Sequence, residues 1–340
     1  MSNQPVLQIE NLRVSFRVHD TYYAAVDGVS LNVHKNEVLA VVGESGCGKS
    51  ALALSIMGLH PPAKTKLEGK ILFHGTDLLS LSVHELNKIR GKDIGMIFQD
   101  PLTALNPLMT VGRQIEEGMD FHLSLSSLEK RGRTIELLER VGIPNPNQVY
   151  HRYPHELSGG MRQRIVIAMA IACHPSLIIA DEPTTALDVT IQSQIMDLLR
   201  ELQQQMNTGI ILITHDLGVV AEMADRVAVM YAGEIVEMAD VYTLFDRPLH
   251  PYTRSLLQSI PSAQHPKERL HVIQGIVPPL QKLPRTGCRF RSRIGWIDES
   301  EHEEQPILRE VEPGHFVRCI CYKNFHFPYD HIGDMKYGIS

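Results

Sequence analysis

The sequence has few of the features that mark secreted or membrane-spanning proteins. Its five cysteines are an odd number, and two of them, Cys47 and Cys173, lie in segments expected to form the core, which argues against a disulfide framework. The longest stretch without Asp, Glu, Lys or Arg, residues 165–180, is too short to cross a bilayer and is interrupted by His174-Pro175. Residues 1–5 have neither the basic nor the apolar part of a signal peptide. We therefore expect a cytosolic protein that acts at a membrane only through a partner.

The charge balance also argues against nucleic acid as a partner, although it leaves a local basic patch open. A formal net charge of −6 provides no general electrostatic attraction to nucleic acid. With 43% hydrophobic and 21% charged residues, the composition is that of a folded globular protein, and 340 residues allow one large core or two to three smaller ones. No nucleic acid is therefore expected as a partner.

One short motif organises the rest of the chain. Residues 43–50 read Gly-Glu-Ser-Gly-Cys-Gly-Lys-Ser, between a strand pattern over residues 38–42 and a helix pattern over residues 51–57. Glycines let successive backbone N–H groups face a phosphate, and the N-terminus of the following helix favours the same anion. Lys49 is expected to reach the β- and γ-phosphates of a nucleotide, and Ser50 to hold Mg²⁺. The other positions expected to line the nucleotide are Gly43, Ser45, Gly46, Cys47, Gly48 and Ala51.

Two segments before this motif alternate apolar and polar residues, which is the period of half-buried strands. Residues 6–14 and 29–33 are predicted to pair in an antiparallel sheet. Between them lie Phe16, Tyr22 and Tyr23, and each could stack on a purine base or simply pack on the face of the sheet. These residues alone do not decide between the two roles.

The segment after the motif returns to strand patterns. Residues 71–73 are predicted to form a strand that turns at His74-Gly75, and residues 78–89 a short helix. Residues 94–98 are a predicted buried strand, which places Gln99 at its carboxyl end.

Residues 101–173 change to helical periodicity with polar faces, as in residues 128–141, and the pattern is broken at Pro144-Asn145-Pro146. We predict a helical insertion into an α/β core. Near its end, residues 157–164 place a glycine pair at the start of an amphipathic helix, which is a second candidate anion site. Ser-Gly-Gly alone is a weak signal.

Two further apolar segments end in polar residues. Residues 177–180 are followed by Asp181 and Glu182, and residues 210–214 by His215, with a helix predicted between them over residues 191–205. In open α/β sheets, ligands bind at the carboxyl ends of the strands. One of the two acids can order the water molecules bound to Mg²⁺, while the other orients an attacking water. Together with Gln99, these side chains predict a nucleotide-hydrolysing site.

The order and spacing of these motifs resemble the nucleotide-binding subunit of an ABC transporter. The motifs concerned are residues 43–50, Gln99, residues 157–161, residues 177–182, residues 186–188 and His215. The resemblance covers residues 6–245. It implies a RecA-like P-loop ATPase core of the α/β class, with an antiparallel β-subdomain and a helical subdomain at about residues 101–173, in an ATPase domain of residues 1–245.

The resemblance also implies roles for individual residues. Phe16 corresponds to the aromatic residue that stacks on adenine, with Tyr22 and Tyr23 as alternatives. Gln99 corresponds to a contact to Mg²⁺ and the water, Asp181 to the acid on the Mg²⁺ side, Glu182 to the catalytic carboxylate and His215 to the γ-phosphate contact. ATP and Mg²⁺ are the implied substrate and metal.

Other residues are implied to act on the ATP of a second subunit. Ser158, Gly159 and Gly160 cap that nucleotide in the family, in which two subunits pair head to tail, and Asp188 belongs to the same nucleotide-binding set. Hydrolysis is then expected only in a closed dimer.

Residues outside the core resemble one branch of the family. Residues 98–107, residues 250–257 and a C-terminal extension, residues 246–340, are similar to the peptide and nickel importers, and most of all to the "D"-type ATPase of oligopeptide and dipeptide transporters. The branch implies two transmembrane permease subunits, a second and non-identical ATPase subunit, and an extracellular substrate-binding protein that feeds them. The expected location is the cytoplasmic face of the membrane. Nickel or another small solute remains an alternative cargo.

The extension departs from the branch at its cysteines. Many relatives hold an iron–sulfur cluster with four cysteines, the first within Gly-Cys-Arg-Phe, matched here by residues 287–290. The second position holds Ile294 and the third Glu301, while Cys319 or Cys321 fits the fourth. No iron–sulfur cluster is therefore expected, and packing should hold the region. The open alternative is a rearranged zinc or cluster site formed by Cys288, Cys319, Cys321 and either Glu301 or His302.

Two other functions compete with transport. An ABC-class ATPase that acts on nucleic acid or the ribosome usually has two cassettes or a long coiled coil, whereas this sequence has one cassette, no internal repeat and no heptad run. A regulatory ATPase whose extension binds a ligand is the other alternative. Co-purification with two permeases would distinguish both from an importer.

Overall fold

A computed structural model describes residues 4–185, 187–259, 273 and 275–327. The strands in these residues are β1 (Leu7–Val18), β2 (Thr21–Val33), β3 (Val38–Val42), β4 (Thr65–Phe73), β5 (Thr76–Asp77), β6 (Ile94–Ile97), β7 (Leu177–Asp181), β8 (Gly209–Thr214), β9 (Arg226–Tyr231), β10 (Glu234–Asp240), β11 (Leu308–Glu312) and β12 (His315–Arg318). The α-helices are α1 (Lys49–Ile56), α2 (Val83–Ile89), α3 (Pro101–Ala104), α4 (Val111–His122), α5 (Ser127–Arg140), α6 (Pro146–Val149), α7 (Gly159–Ile171), α8 (Val189–Met206), α9 (Leu217–Met223), α10 (Val241–Asp246) and α11 (Pro251–Gln258).

The larger sheet has the strand order β11-β12-β10-β9-β3-β8-β7-β6. Strands β9, β3, β8, β7 and β6 run parallel to one another. Every residue of β3, β6, β7 and β8 is buried, because helices cover both faces of a parallel sheet. The parallel strands therefore present their carboxyl ends, and the polar residues that follow them, at one edge.

The smaller sheet is antiparallel and has the order β2-β1-β4-β5. The pairing predicted between residues 6–14 and 29–33 is present, with Leu7 opposite Val33, and it continues to Phe16 opposite Tyr23. The inward residues of β1, such as Leu7 and Ile9, share one apolar cluster with residues of β3 and α1. The sheet therefore packs against the segments that carry the phosphate-binding motif.

The extension continues the larger sheet. Strand β12 pairs antiparallel with β10, with Glu237 opposite Val317, and β11 forms the edge next to β12. The boundary between the ATPase domain and the extension, predicted at residue 245, stays a prediction. Strands on both sides of that position belong to the same sheet.

Residues 101–173 are helical, as predicted, and contain α3 to α7. The prediction that α7 is amphipathic is wrong, because α7 contacts α3, α4, α5 and β6 and buries residues on most sides.

The single helix predicted over residues 78–89 is also wrong. A 3₁₀ turn, Leu78–Ser80, precedes α2, and Ser82 begins α2 with a capping box in which Glu85 Oε2 accepts from the Ser82 N–H at 2.8 Å.

Within the described part of the chain, the helices are all too short or too polar to traverse a bilayer.

Candidate active site

The phosphate-binding loop lies between β3 and α1, and two of its glycines have no room for a side chain. Gly43 has a φ of 152°, and a Cβ there would lie 2.1 Å from the Met230 carbonyl oxygen. Gly48 has a φ of 108°, and a Cβ there would lie 2.5 Å from the Ala25 carbonyl oxygen. Only glycine fits at either position, so the loop can wrap closely around an anion.

Lys49 and Ser50 follow the loop as the first two residues of α1. Lys49 is 5% exposed, and its Nζ donates to the carbonyl oxygens of Gly43 at 2.6 Å and Glu44 at 3.1 Å. Ser50 Oγ is 3.3 Å from Asp181 Oδ1 at the end of β7. Burial raises the pKa of Asp181, and the neighbouring hydroxyl and ammonium groups of Ser50 and Lys49 act against that rise. A hydroxyl beside a carboxylate is a suitable pair of oxygen ligands for Mg²⁺.

The remaining loop residues divide by exposure. Ser45 and Gly46 are exposed, whereas Cys47 is 1% exposed and burial raises the pKa of its thiol. Cys47 therefore packs inside the loop as a neutral thiol, while Ser45 and Gly46 face the side that is open to a ligand.

The polar residues predicted at three strand ends meet at Glu182. Gln99 Nε2 donates to Glu182 Oε2 at 2.9 Å, and Thr185 Oγ1 donates to the same oxygen at 2.9 Å. His215 Nδ1 lies 3.5 Å from Glu182 Oε1. Glu182 has a φ of 47°, an uncommon conformation for a residue other than glycine, and its N–H donates to the carbonyl oxygen of Ile213 on β8. The carboxylate is thus fixed in place beside Asp181.

Ser158 and Asp188 cap helices at the surface. Ser158 Oγ accepts from the Met161 N–H at the start of α7, and Asp188 Oδ1 accepts from the Ile191 N–H at the start of α8. The two helix starts adjoin, since a Cβ on Gly160 would lie 3.0 Å from the Ile191 side chain. Ser158, Gly159 and Asp188 are exposed. Ala186 lies outside the described residues.

The aromatic candidates have different surroundings. The ring of Phe16 contacts His60 edge to face at 5.1 Å, and His60 bonds the Ala51 carbonyl oxygen of α1 at 2.9 Å. The ammonium of Lys66 lies 4.2 Å from the centre of the Tyr22 ring. Tyr23 lies opposite Phe16 on the neighbouring strand. Phe16 is thus linked to the helix that follows the phosphate-binding loop, and its choice over the two tyrosines stays a prediction.

Two residues of the extension hold the loop, and the sequence did not reveal this role. The Tyr252 hydroxyl accepts from the Glu44 N–H at 2.8 Å. The Arg293 guanidinium forms a two-bond ion pair with the Glu44 carboxylate, at 2.5 and 3.2 Å. Both side chains are buried, and burial raises the pKa of Tyr252. Tyr252 lies in residues 250–257, whose similarity to the peptide importers does not predict this contact.

The residues around the extension's cysteines are brought together. The sulfurs of Cys288, Cys319 and Cys321 and one ring nitrogen of His302 all lie within 4.8 Å of one another, a group called here the Cys/His cluster. Ile294, at the family's second ligand position, is 1% exposed within an apolar core, and Glu301 accepts a hydrogen bond from Asn324. Of the alternatives left open by the sequence, the structure selects His302 rather than Glu301.

Known proteins resemble this chain both in the ATPase domain and in the extension. A family model described as ABC transporter matches residues 26–185, and one described as oligopeptide/dipeptide transporter, C-terminal region, matches residues 236–294. The chain is 50% identical over 329 residues to the oligopeptide transport ATP-binding protein OppD of Lactococcus lactis subsp. cremoris (strain SK11), covering 96% of this chain and 97% of that protein. It is 48% identical over 319 residues to the oligopeptide transport ATP-binding protein AppD of Bacillus subtilis (strain 168), covering 94% and 97%. A solved dimeric ATP-binding cassette, in a post-hydrolysis state with ADP and Pi, matches with a TM-score of 0.63 at 30% identity, over 69% of this chain and 98% of that one.

Proposed function

The chain belongs to the ABC transporter family, in the group of ATP-binding proteins of oligopeptide transport, and on this premise we propose that it hydrolyses ATP to drive import of oligopeptides or dipeptides. The fold is the P-loop ATPase fold of that family. The match of residues 236–294 to the C-terminal region of oligopeptide/dipeptide transporters favours peptide cargo over nickel, and transport over the other ABC-class roles.

The position of Glu182 carries the proposal. Gln99 and Thr185 orient its carboxylate, while Asp181, Ser50 and Lys49 form the adjacent wall of the loop. A carboxylate that is fixed beside a phosphate-binding loop can hold a water in line with the γ-phosphate, and phosphoryl transfer depends mainly on such positioning and on charge neutralisation.

The residues then have separate tasks. The loop N–H groups and the Lys49 ammonium bind the phosphate oxygens, and Ser50, Asp181 and Gln99 would hold Mg²⁺, which offsets the charge on those oxygens when bound. Glu182 orients a water and accepts its proton as the water oxygen bonds to the γ-phosphorus. The bond from that phosphorus to the bridging oxygen of ADP breaks, so ADP and inorganic phosphate leave. His215 contacts the γ-phosphate, and Phe16 stacks on the adenine.

A second ATPase subunit completes the site. The exposed Ser158, Gly159 and Asp188 and the partly buried Gly160 lie beside each other at two helix starts, where N–H groups can contact an anion from another chain. We assign them to the ATP of a partner subunit, which in this branch is a non-identical chain. An isolated, demonstrably monomeric preparation should hydrolyse ATP poorly, and substantial turnover by it would contradict this assignment.

The partners follow from the same branch. Phe98, Leu102 and Leu108, which are near Gln99 in the sequence, have exposed apolar side chains, at 38%, 60% and 85% exposure, and exposed apolar surface suits docking of a membrane partner. We propose that two permease subunits bind the chain at the cytoplasmic face of the membrane, and that an extracellular binding protein supplies the peptide.

Reconstitution in vesicles tests the proposed function. The chain, a partner ATPase and two permeases should co-purify, and a peptide-loaded binding protein should stimulate both ATP hydrolysis and peptide uptake. The same complex with Glu182→Gln is the matched control and should do neither. Stimulation by nickel without any by peptide, or failure of the chain to associate with permeases, would contradict the proposal.

A further inference from the structure

The Cys/His cluster has the composition and spacing of a site for one metal ion. Its three sulfurs and one nitrogen lie within 4.8 Å of one another. Around a tetrahedral zinc with Zn–S bonds of about 2.3 Å, neighbouring sulfurs lie about 3.8 Å apart. The observed spread therefore needs only a small contraction to close around one ion.

The side chain of His302 is otherwise unexplained. It is 9% exposed, and neither ring nitrogen has a hydrogen-bond partner among the residues that the structure describes. Buried polar atoms without partners are costly, and imidazole nitrogen is a common zinc ligand. Packing alone, which the sequence favoured for this region, leaves this residue without a role.

The backbone directs the three sulfurs toward each other. Cys319 follows β12 with a φ of 68°, an uncommon conformation for cysteine, and this turn brings Cys319 and Cys321 to the same place. The backbone N–H groups of Glu303 and Cys321 donate hydrogen bonds to the Cys319 sulfur. Such N–H donors also stabilise metal-bound thiolates.

The iron–sulfur cluster implied by the family resemblance does not fit these residues. A cubane places four irons and four sulfides between its ligands and so holds them far apart, whereas here all four ligand atoms are close neighbours. The family's second ligand position is the buried, apolar Ile294. The donor set and its spacing both suit one ion.

We propose that Cys288, His302, Cys319 and Cys321 bind a single divalent ion of the zinc type in tetrahedral coordination. Each thiol that binds the metal releases its proton to solvent. A surface cleft lined by Gly287, Arg291, His302 and Glu303 gives the ion a path to the site.

The site is connected to the phosphate-binding loop. Cys288 is followed by Arg289, which forms an ion pair with Asp27 on β2, and five residues later by Arg293, which pairs with Glu44. A metal that fixes Cys288 therefore fixes the segment on which both arginines lie. Metal-free protein should bind nucleotide more weakly than metal-loaded protein.

Metal analysis of the purified full-length chain tests the proposal. We expect about one equivalent of zinc per chain, no acid-labile sulfide and no brown colour. Cobalt(II) exchanged into the site should give the visible bands of tetrahedral, thiolate-bound cobalt. Four irons with sulfide, or a folded metal-free chain that binds neither zinc nor cobalt(II), would overturn the proposal.

Variants separate the site from general folding. His302→Ala should lower metal affinity by about a hundredfold or more, since loss of supporting contacts alone costs 10- to 100-fold. His302→Cys supplies a fourth thiolate, so it should retain one ion with an altered cobalt spectrum. Cys173→Ser is the matched control, because Cys173 is a buried cysteine outside the cluster, and its metal content should be unchanged. Equal metal content in His302→Ala, His302→Cys and the unaltered chain would overturn the role of His302.

Discussion

Glu44 and Lys49 lie five positions apart in one loop, yet different parts of the chain hold them. Lys49 bonds carbonyl oxygens of the loop itself, at Gly43 and Glu44. Glu44 is held by Tyr252 and Arg293, both more than 200 residues later in the chain. The inner side of the loop, at Lys49, is thus held by contacts within the loop itself. Its outer side, at Glu44, is held by Tyr252 and Arg293 of the extension.

The two sides also differ in exposure. On the side proposed to be catalytic, the side chains of His215 and Glu182 are 64% and 18% exposed, as the proposed contacts with water and a second subunit require. On the outer side, the side chain of Arg293 is 4% exposed and Tyr252 is fully buried. We infer that the first set performs the chemistry and that the second set keeps the loop in shape. Substitutions should therefore separate turnover from nucleotide affinity.

The largest effect is expected on the catalytic side. Glu182→Gln keeps the shape of the side chain but removes the charge that we propose orients and deprotonates water, so turnover should fall about a thousandfold, within the range for loss of a general base. ATP affinity should change little. Turnover in the assembled complex and ATP binding are the measurements, with the exposed Glu201→Gln as control. Turnover within a few-fold of the unaltered protein would remove Glu182 from the mechanism.

The next effect concerns binding on the same side. Lys49→Ala removes the ammonium that opposes the phosphates, and charge-assisted hydrogen bonds contribute about 1.5–3 kcal/mol each, so ATP affinity should fall about a hundredfold. Lys35→Ala, an exposed lysine that precedes β3, is the control. Titration with a fluorescent nucleotide measures the difference, and unchanged affinity would mean that Lys49 does not contact the phosphates.

A smaller effect is expected on the outer side. Arg293→Ala leaves the Glu44 carboxylate without its ion-pair partner and removes the guanidinium from the Tyr231 and Phe290 rings. Breaking a fully buried pair costs 3–5 kcal/mol, and because the Glu44 side chain is 28% exposed we expect about 2 kcal/mol here. The KM for ATP should rise about tenfold while kcat stays nearly constant.

Arg291→Ala is the matched control for that change, since Arg291 is a half-exposed arginine that pairs with Glu299 instead. Denaturant unfolding and steady-state kinetics measure the two quantities. A fall in kcat without a change in KM would show that Arg293 acts on something other than the shape of the loop.

The two sides were not equally predictable from the sequence. The motif at residues 43–50 and the polar residues after β6, β7 and β8 could be predicted because each is a short contiguous pattern at the end of a buried strand. The contacts of Tyr252 and Arg293 to Glu44 could not, since nothing local in either segment specifies a partner so far away in the chain. His302 was found only as an alternative, because a histidine beside acidic residues has no pattern that distinguishes a ligand from a surface residue.

The smallest effect tests one oxygen atom of the outer side. Tyr252→Phe removes the hydroxyl that accepts from the Glu44 N–H but keeps the ring that packs on Tyr231 and Phe290 at 4.6 and 5.3 Å. One hydrogen bond contributes about 1 kcal/mol, so the free energy of unfolding should fall by about that amount and the KM for ATP should rise about fivefold. Tyr242→Phe, at an 84% exposed tyrosine, is the control.

The double variant decides whether both residues of the extension act through Glu44. If they hold the same loop residue, the loss in Tyr252→Phe with Arg293→Ala should be smaller than the sum of the single losses, because the first change already frees the loop that the second would release. Strictly additive losses in ATP affinity would mean that the two side chains act independently. The contacts of Tyr252 and Arg293 to Glu44 would then be unrelated. A common role in shaping the loop could no longer explain why the outer side differs from the catalytic side.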